Sequence, residues 1–222
     1  MNYSRFKYFV VFIFISTTIF AQVEKYSFTP SAYYTYGEYS NNNYSKSSSV
    51  YGKFVIDRLN YLIAGYDDML IHSRDWEYDQ QTFLIGGFKN FYPYYLKANY
   101  LFIQGELNYR PFGRFYDYKD VAHLISGELL YNYGFIFVGA SYTYFTLEGT
   151  QSVSSNQFGL SFVWRIRNNL SMGVKPYYVT VSDERNLFSA LLKLDYSPWE
   201  DLKLILSASG GERAYFFNTD LL

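Results

Sequence analysis

"QFGLSFVWRIR", Gln157 to Arg167, alternates with one exception. Phe158, Leu160, Phe162, Trp164 and Ile166 share one parity. Gln157, Gly159, Ser161, Arg165 and Arg167 share the other, and only Val163 is out of place. A period of two predicts a β-strand with one apolar and one polar face. The apolar face has two possible partners, a packed core or lipid. Alternation alone leaves both open, so the surrounding chain has to decide.

The pattern recurs downstream and upstream. In "LSMGVKPYY" Leu170, Met172, Val174 and Tyr178 oppose Ser171, Gly173, Lys175 and Tyr177. "LFSALLKLDYS", "LKLILSAS" and "IFVGASYTY" behave alike, with Gly, Ser, Thr and Lys on the second face. Eleven strands are predicted, over 28–38, 48–57, 61–72, 80–90, 94–108, 118–131, 135–147, 157–166, 170–181, 187–196 and 202–209. Most reach the ~9–11 residues that a tilted strand needs to cross a bilayer. The phase slips around Phe102-Ile103, which predicts a bulge. Pro176, lacking an N–H, predicts a bulge or an unpaired ladder position. Alternation is poor over 61–90.

The connections discriminate further. Long polar links such as "SNNNYSKSS", "RPFGRFYDY" and "EGTQSVSSN" follow odd-numbered strands, and "FYP", "NYG" and "RNN" follow even ones. The link "SPWED" blurs that rule. An up-and-down antiparallel transmembrane barrel sorts its connections in this way, with short turns at one rim and longer loops at the other. The predicted fold class is therefore an all-β, up-and-down transmembrane β-barrel of about 12 strands. The alternative is a soluble periplasmic β-barrel binding protein, in which the same face is core. Bacterial barrels have even strand numbers. Either "AYFFNTDLL" after "GGER" forms a weak twelfth strand, or the chain, which stops at Leu222 without a terminal aromatic, is C-terminally incomplete.

Bulk properties set bounds. The chain has 222 residues, a formal net charge of -1, no cysteine, 27 Tyr and 21 Phe. The charge balance gives no basic footprint for nucleic acid. The lack of cysteine excludes disulfides, thiolate metal sites and thiol catalysis. Tyrosine, with an apolar body and a wet tip, suits a boundary between apolar surroundings and water. Arg5 and Lys7 precede the apolar run Tyr8–Phe20, which is followed by Ala21. That is a signal-peptide pattern. Residues 1–21 are assigned to it and 22–222 to the barrel, exported to the outer membrane of a Gram-negative bacterium.

"GVKPYYVTVSDERN", "ALLKLDY" and "LKLILSASGG", with the preceding "GELLYNYGFIFVGASYTYF", resemble the YaiO-like family of outer-membrane β-barrel proteins. The resemblance covers roughly residues 120–211 and rests most on the "KPYY" strand. It implies an integral outer-membrane barrel and no catalytic residue. Composition and the signal ending also look like proteins of the Bacteroidetes type.

Little chemistry is legible. His72-Ser73 invites comparison with lipid-acting outer-membrane phospholipases and acyltransferases, an alternative function, yet a dipeptide is not a triad. His123 and Ser126 are three apart on a strand and point to opposite faces. Asp67-Asp68 and Asp75, Glu77 and Asp79 carry oxygen ligands but match no calcium loop, and read as solvated loop. No enzyme activity, metal or cofactor is expected. The candidate site is a set of lumen-lining charges, Arg165, Lys175, Lys193 and Lys203 with Asp195. An unpaired basic stripe favours anions. Pairing with Asp195, Glu128, Glu106 or Asp57 would instead give a plugged, structural interior. The expected function is a non-enzymatic narrow pore, or a structural or export component for envelope polymers. Its expected partners are outer-membrane lipid and lipopolysaccharide, the barrel-assembly machinery and an anionic solute or polysaccharide.

Overall fold

The computed structural model describes residues 15–16, 26–38, 43–57, 60–109, 116–150, 152–199 and 202–212. The signal-peptide residues apart from Ile15–Ser16, and the segment "AYFFNTDLL", lie outside them. The chain is all-β. After a two-residue β1 (Ile15–Ser16) come eleven long strands. These are β2 (Ser27–Glu38), β3 (Tyr44–Asp57), β4 (Asn60–His72), β5 (Trp76–Phe91), β6 (Tyr94–Tyr109) and β7 (Tyr116–Tyr133). There follow β8 (Ile136–Glu148), β9 (Val153–Arg167), β10 (Leu170–Val181), β11 (Asn186–Trp199) and β12 (Leu202–Gly211). Each strand neighbours its successor in one sheet, from β1 to β12. This is the up-and-down antiparallel arrangement expected of a transmembrane β-barrel.

The connections sort more cleanly than the sequence suggests. Two residues separate β3 from β4, β5 from β6, β7 from β8, β9 from β10 and β11 from β12. Three to six residues separate the other pairs of long strands. The "SPWED" link no longer blurs the rule, because β11 runs on through Trp199 and β12 starts at Leu202. In the turn between β7 and β8, Gly134 has φ +70°, a region that costs an L side chain strain.

Two compact units divide the chain. The first comprises 1–86, 101–123 and 147–152. Within it Ala32, Val50 and Tyr66 stand opposite one another across β2, β3 and β4. Ser49 pairs with Asp67 on the other parity, and its hydroxyl donates to the Asp67 carboxylate. Toward the long-connection end the exposed parity turns polar. His72 stacks on Tyr44 at 4.9 Å and Lys119 lies 3.4 Å from Glu106. Strands that carry polar groups on both faces there explain the poor alternation over 61–90. Asp67, Asp68, Glu77 and Asp79 lie in strands β4 and β5, so they are not a solvated loop.

The second unit comprises 87–100, 124–146 and 153–222. Its exposed face is built of cross-strand rows. Phe158, Tyr178 and Phe188 form one, and Phe162, Val174, Leu192 and Ala208 the next complete one. Trp164, Met172, Leu194 and Leu206 follow. The opposite parity is buried, with Gln157 at 3% and Ser161 at 0% exposure, whereas Leu160 and Leu192 are each 52% exposed. Tyr177 lies over Gly159, where a Cβ would meet the ring at 2.8 Å. Aromatic pairs bracket the apolar rows. Tyr142–Phe158 (5.1 Å) and Tyr178–Phe188 (4.8 Å) lie toward the longer connections, and Phe91–Tyr94 (5.9 Å) and Tyr94–Tyr131 (5.2 Å) lie toward the short turns. The Tyr142 and Tyr178 hydroxyls donate to Asn156 and Asn186.

Two predicted irregularities resolve differently. On either side of Phe102-Ile103, Asn99 and Gly105 are both buried and share one parity, so no phase slip separates them. At Pro176 the ladder to β9 skips Lys175 and Pro176 while keeping register, as a missing donor requires.

Candidate functional site

The inward charges of the second unit converge on Glu128 of β7. Glu128 is 7% exposed. Lys175 Nζ donates to Glu128 Oε1 at 2.7 Å, and Ser161 Oγ donates to the same oxygen at 2.6 Å. The consecutive strands β9 and β10 meet β7 here because alternation places each residue on the inner parity of its strand. Bonds of this kind offset the cost of taking a carboxylate out of water.

Beside this triad lies a cavity of about 180 Å³. Lys97, Lys193, Asp195 and Ser171 contribute to its wall together with Glu128 and Lys175. Gly173 sits at its floor, opposite both Val163 and Lys193. Lys193 Nζ is 3.8 Å from Asp195 Oδ2, an ion-pair distance too long for a good hydrogen bond. Asp195 Oδ1 is buried without a hydrogen-bond partner among the described residues. Three lysines and two carboxylates thus contribute to one wall.

Of the sequence candidates, Lys175, Lys193 and Asp195 come together at this cavity. Arg165 does not line it but shares a cross-strand row with Ser171 and Asp195, which do. Its guanidinium carbon lies 5.3 Å from the Phe137 ring centroid, a cation–π contact. Position 203 belongs to β12 on the parity of Ser207, and the structure describes nothing of its side chain. Lys175 pairs with Glu128 and Lys193 with Asp195. Glu106 pairs instead with Lys119, and Asp57 accepts from the Asn60 backbone and side-chain amides.

The histidines separate. His72 Nδ1 lies 3.1 Å from Glu77 Oε2, and among the described residues no hydroxyl bonds to its ring. His123 lies against Phe102 at 5.2 Å, on the parity opposite to Ser126. Among the described residues no cluster of three metal-ligating side chains occurs. In the connection 182–185, Arg185 Nε donates to Asp183 Oδ2 at 2.7 Å, and this bond holds the Asp183 carboxyl below the usual carboxylate range.

One residue was misplaced by parity counting. Strict alternation puts Arg167 on the polar face with Arg165. Yet Leu170 faces Arg167 while Ser171 faces Arg165, so β9 carries an extra residue at Ile166. This bulge turns Arg167 to the side of Leu170 and Tyr196, the apolar side. A second register shift, between Tyr196 and Trp199, does the same for Trp199, which faces Leu202. The only sequence cue was a bulky or charged residue breaking pattern beside a two-residue turn.

No family model and no curated protein matches the chain. Solved structures do. The chain is similar to outer-membrane expressed OmpT of Vibrio cholerae, at 6% identity and TM-score 0.47, over 84% of this chain and 79% of that one. It is similar to the in-vitro folded, trimer form of OmpT from the same organism, at 7% identity and TM-score 0.44, over 92% and 89% of the two chains. A further in-vitro folded OmpT structure gives 7% identity and TM-score 0.44, over 92% of this chain and 85% of that one. Function has to be argued from this chain's own residues.

Proposed function

We propose that this chain is a non-enzymatic integral β-barrel of a Gram-negative outer membrane, with a constricted polar interior that admits small polar or anionic solutes. The supporting observation is the division of the β9–β12 sheet. One face offers exposed apolar rows bracketed by aromatics, and the other carries Lys175, paired with Glu128 of β7, the two side chains being 11% and 7% exposed. A soluble protein that exposed Phe158, Leu160, Phe162 and Trp164 in one patch would aggregate. Lipid makes that face the stable one and leaves charge no place but the interior. The YaiO-like resemblance points the same way. With lysine in excess at the cavity, anions enter more readily than cations.

Insertion is read by gel migration that changes on heating, and transport by planar-bilayer conductance. Lys175→Gln with Lys193→Gln should move the reversal potential toward cations, and Asp195→Asn should move it the other way. Conductance with selectivity unchanged in both would remove the solute role. A folded barrel with no conductance would favour the structural or export role. The paired His72 and Glu77 keep a lipid-acting enzyme as the second reading. His72→Ala should leave any lipid hydrolysis or acyl transfer unchanged, and a His72-dependent activity would establish that reading.

A further inference from the structure

The exposed face of β9–β12 ends, toward the two-residue turns, in a groove of about 360 Å³. Leu170, Leu194, Leu204 and Leu206 line it, and Arg167 and Asn169 stand at its rim. The apolar part follows from register. Leu194 faces Leu206, and Leu170 faces Tyr196, which in turn faces Leu204. The polar part follows from the bulge at Ile166, which swings Arg167 out of the interior set. Among the described residues no carboxylate pairs with Arg167. The Asn169 carbonyl accepts from the Ser197 amide at 2.8 Å, and its side-chain amide has no partner among the described residues. Trp199, 70% exposed and facing Leu202, stands at the same end.

A cation at the edge of an otherwise apolar wall costs stability in hydrocarbon unless it reaches the interface. Two independent register shifts each deliver an interfacial residue type, Arg167 and Trp199, to one end of the wall. A guanidinium matches a phosphate diester in charge and in donor geometry. We infer that this groove is a binding site for a diacyl phospholipid, with an acyl chain on Leu170, Leu194, Leu204 and Leu206 and the headgroup phosphate on Arg167. The inference rests on the membrane-embedded reading above, and it assigns the site to the leaflet at the short-turn rim.

The test uses the full chain, folded in detergent and titrated with phosphatidylglycerol, with bound lipid counted by native mass spectrometry. Wild type should retain one lipid at a concentration where Arg167→Gln retains about tenfold less, the loss of a charge-assisted contact. Arg167→Lys should recover part of it, and Leu204→Asn should weaken retention without touching the headgroup contact. Glycerol 3-phosphate, which offers the phosphate without chains, should not compete. Equal retention by wild type and Arg167→Gln, both showing heat-modifiable migration, would overturn the site. Full competition by glycerol 3-phosphate would overturn it in favour of a phosphate-only site. A wild type with no heat-modifiable fold would remove the membrane reading and the site together.

Discussion

The two faces of the sheet from β9 to β12 solve opposite problems with the same strands. On the exposed face every row from Phe158 to Leu206 is apolar, and in the membrane-embedded reading proposed above shape matters little there because lipid is fluid. On the buried face the residues are small, hydroxylated or charged, and fit is strict: Ser161 is fully buried and Glu128 has its bonds from two separate strands. The outer face is therefore specified by residue type, and the inner face by particular partners.

Substitutions on the two faces should differ in kind. The largest loss is expected for Glu128→Leu, which removes a buried carboxylate from the Lys175 ammonium, at about 3–5 kcal/mol in denaturant unfolding. The double variant Glu128→Leu with Lys175→Met should recover most of it. Recovery failing would mean that Ser161 and its neighbours need the carboxylate itself. Next comes Leu192→Arg, in the row between the aromatic brackets, at about 2–4 kcal/mol. A cost near zero there would sink the lipid assignment of that face. The smallest effect belongs to neither face. Asp183 is held ionised by Arg185, so its folded-state pKa is depressed. The contact contributes above the unfolded carboxyl value and is lost as pH falls through the folded one. Protection against amide exchange in 182–185, measured relative to the intrinsic rate at each pH, should therefore fall on acidification in wild type, and Asp183→Asn should abolish that dependence.

Sequence carried the fold well because strand periodicity and turn spacing are local. All eleven strands stand where alternation placed them. The ends differ where β3, β5, β9 and β11 run further, polar on both faces or across an assumed loop. Lys175, Lys193 and Asp195 were legible as a set by parity. Their partners were not ranked, because Lys175 and Glu128 are 47 residues apart and nothing local couples them. Arg167 was misassigned, since parity counting fails at a bulge. Parity places Ser189 on the polar face but does not show that it is only 8% exposed, with little room for a larger side chain.

The successive pairing of neighbours has a kinetic consequence. Every hydrogen-bonded pairing of long strands, from β2–β3 to β11–β12, closes across a connection of at most six residues, so the sheet itself has low contact order. The sheet can grow one hairpin at a time, each new strand templated on the one just laid down. Loop-closure entropy is then met in small steps rather than one large one. The growing margin, with its unpaired N–H and C=O groups, is the species most open to pairing with another chain until the next strand arrives.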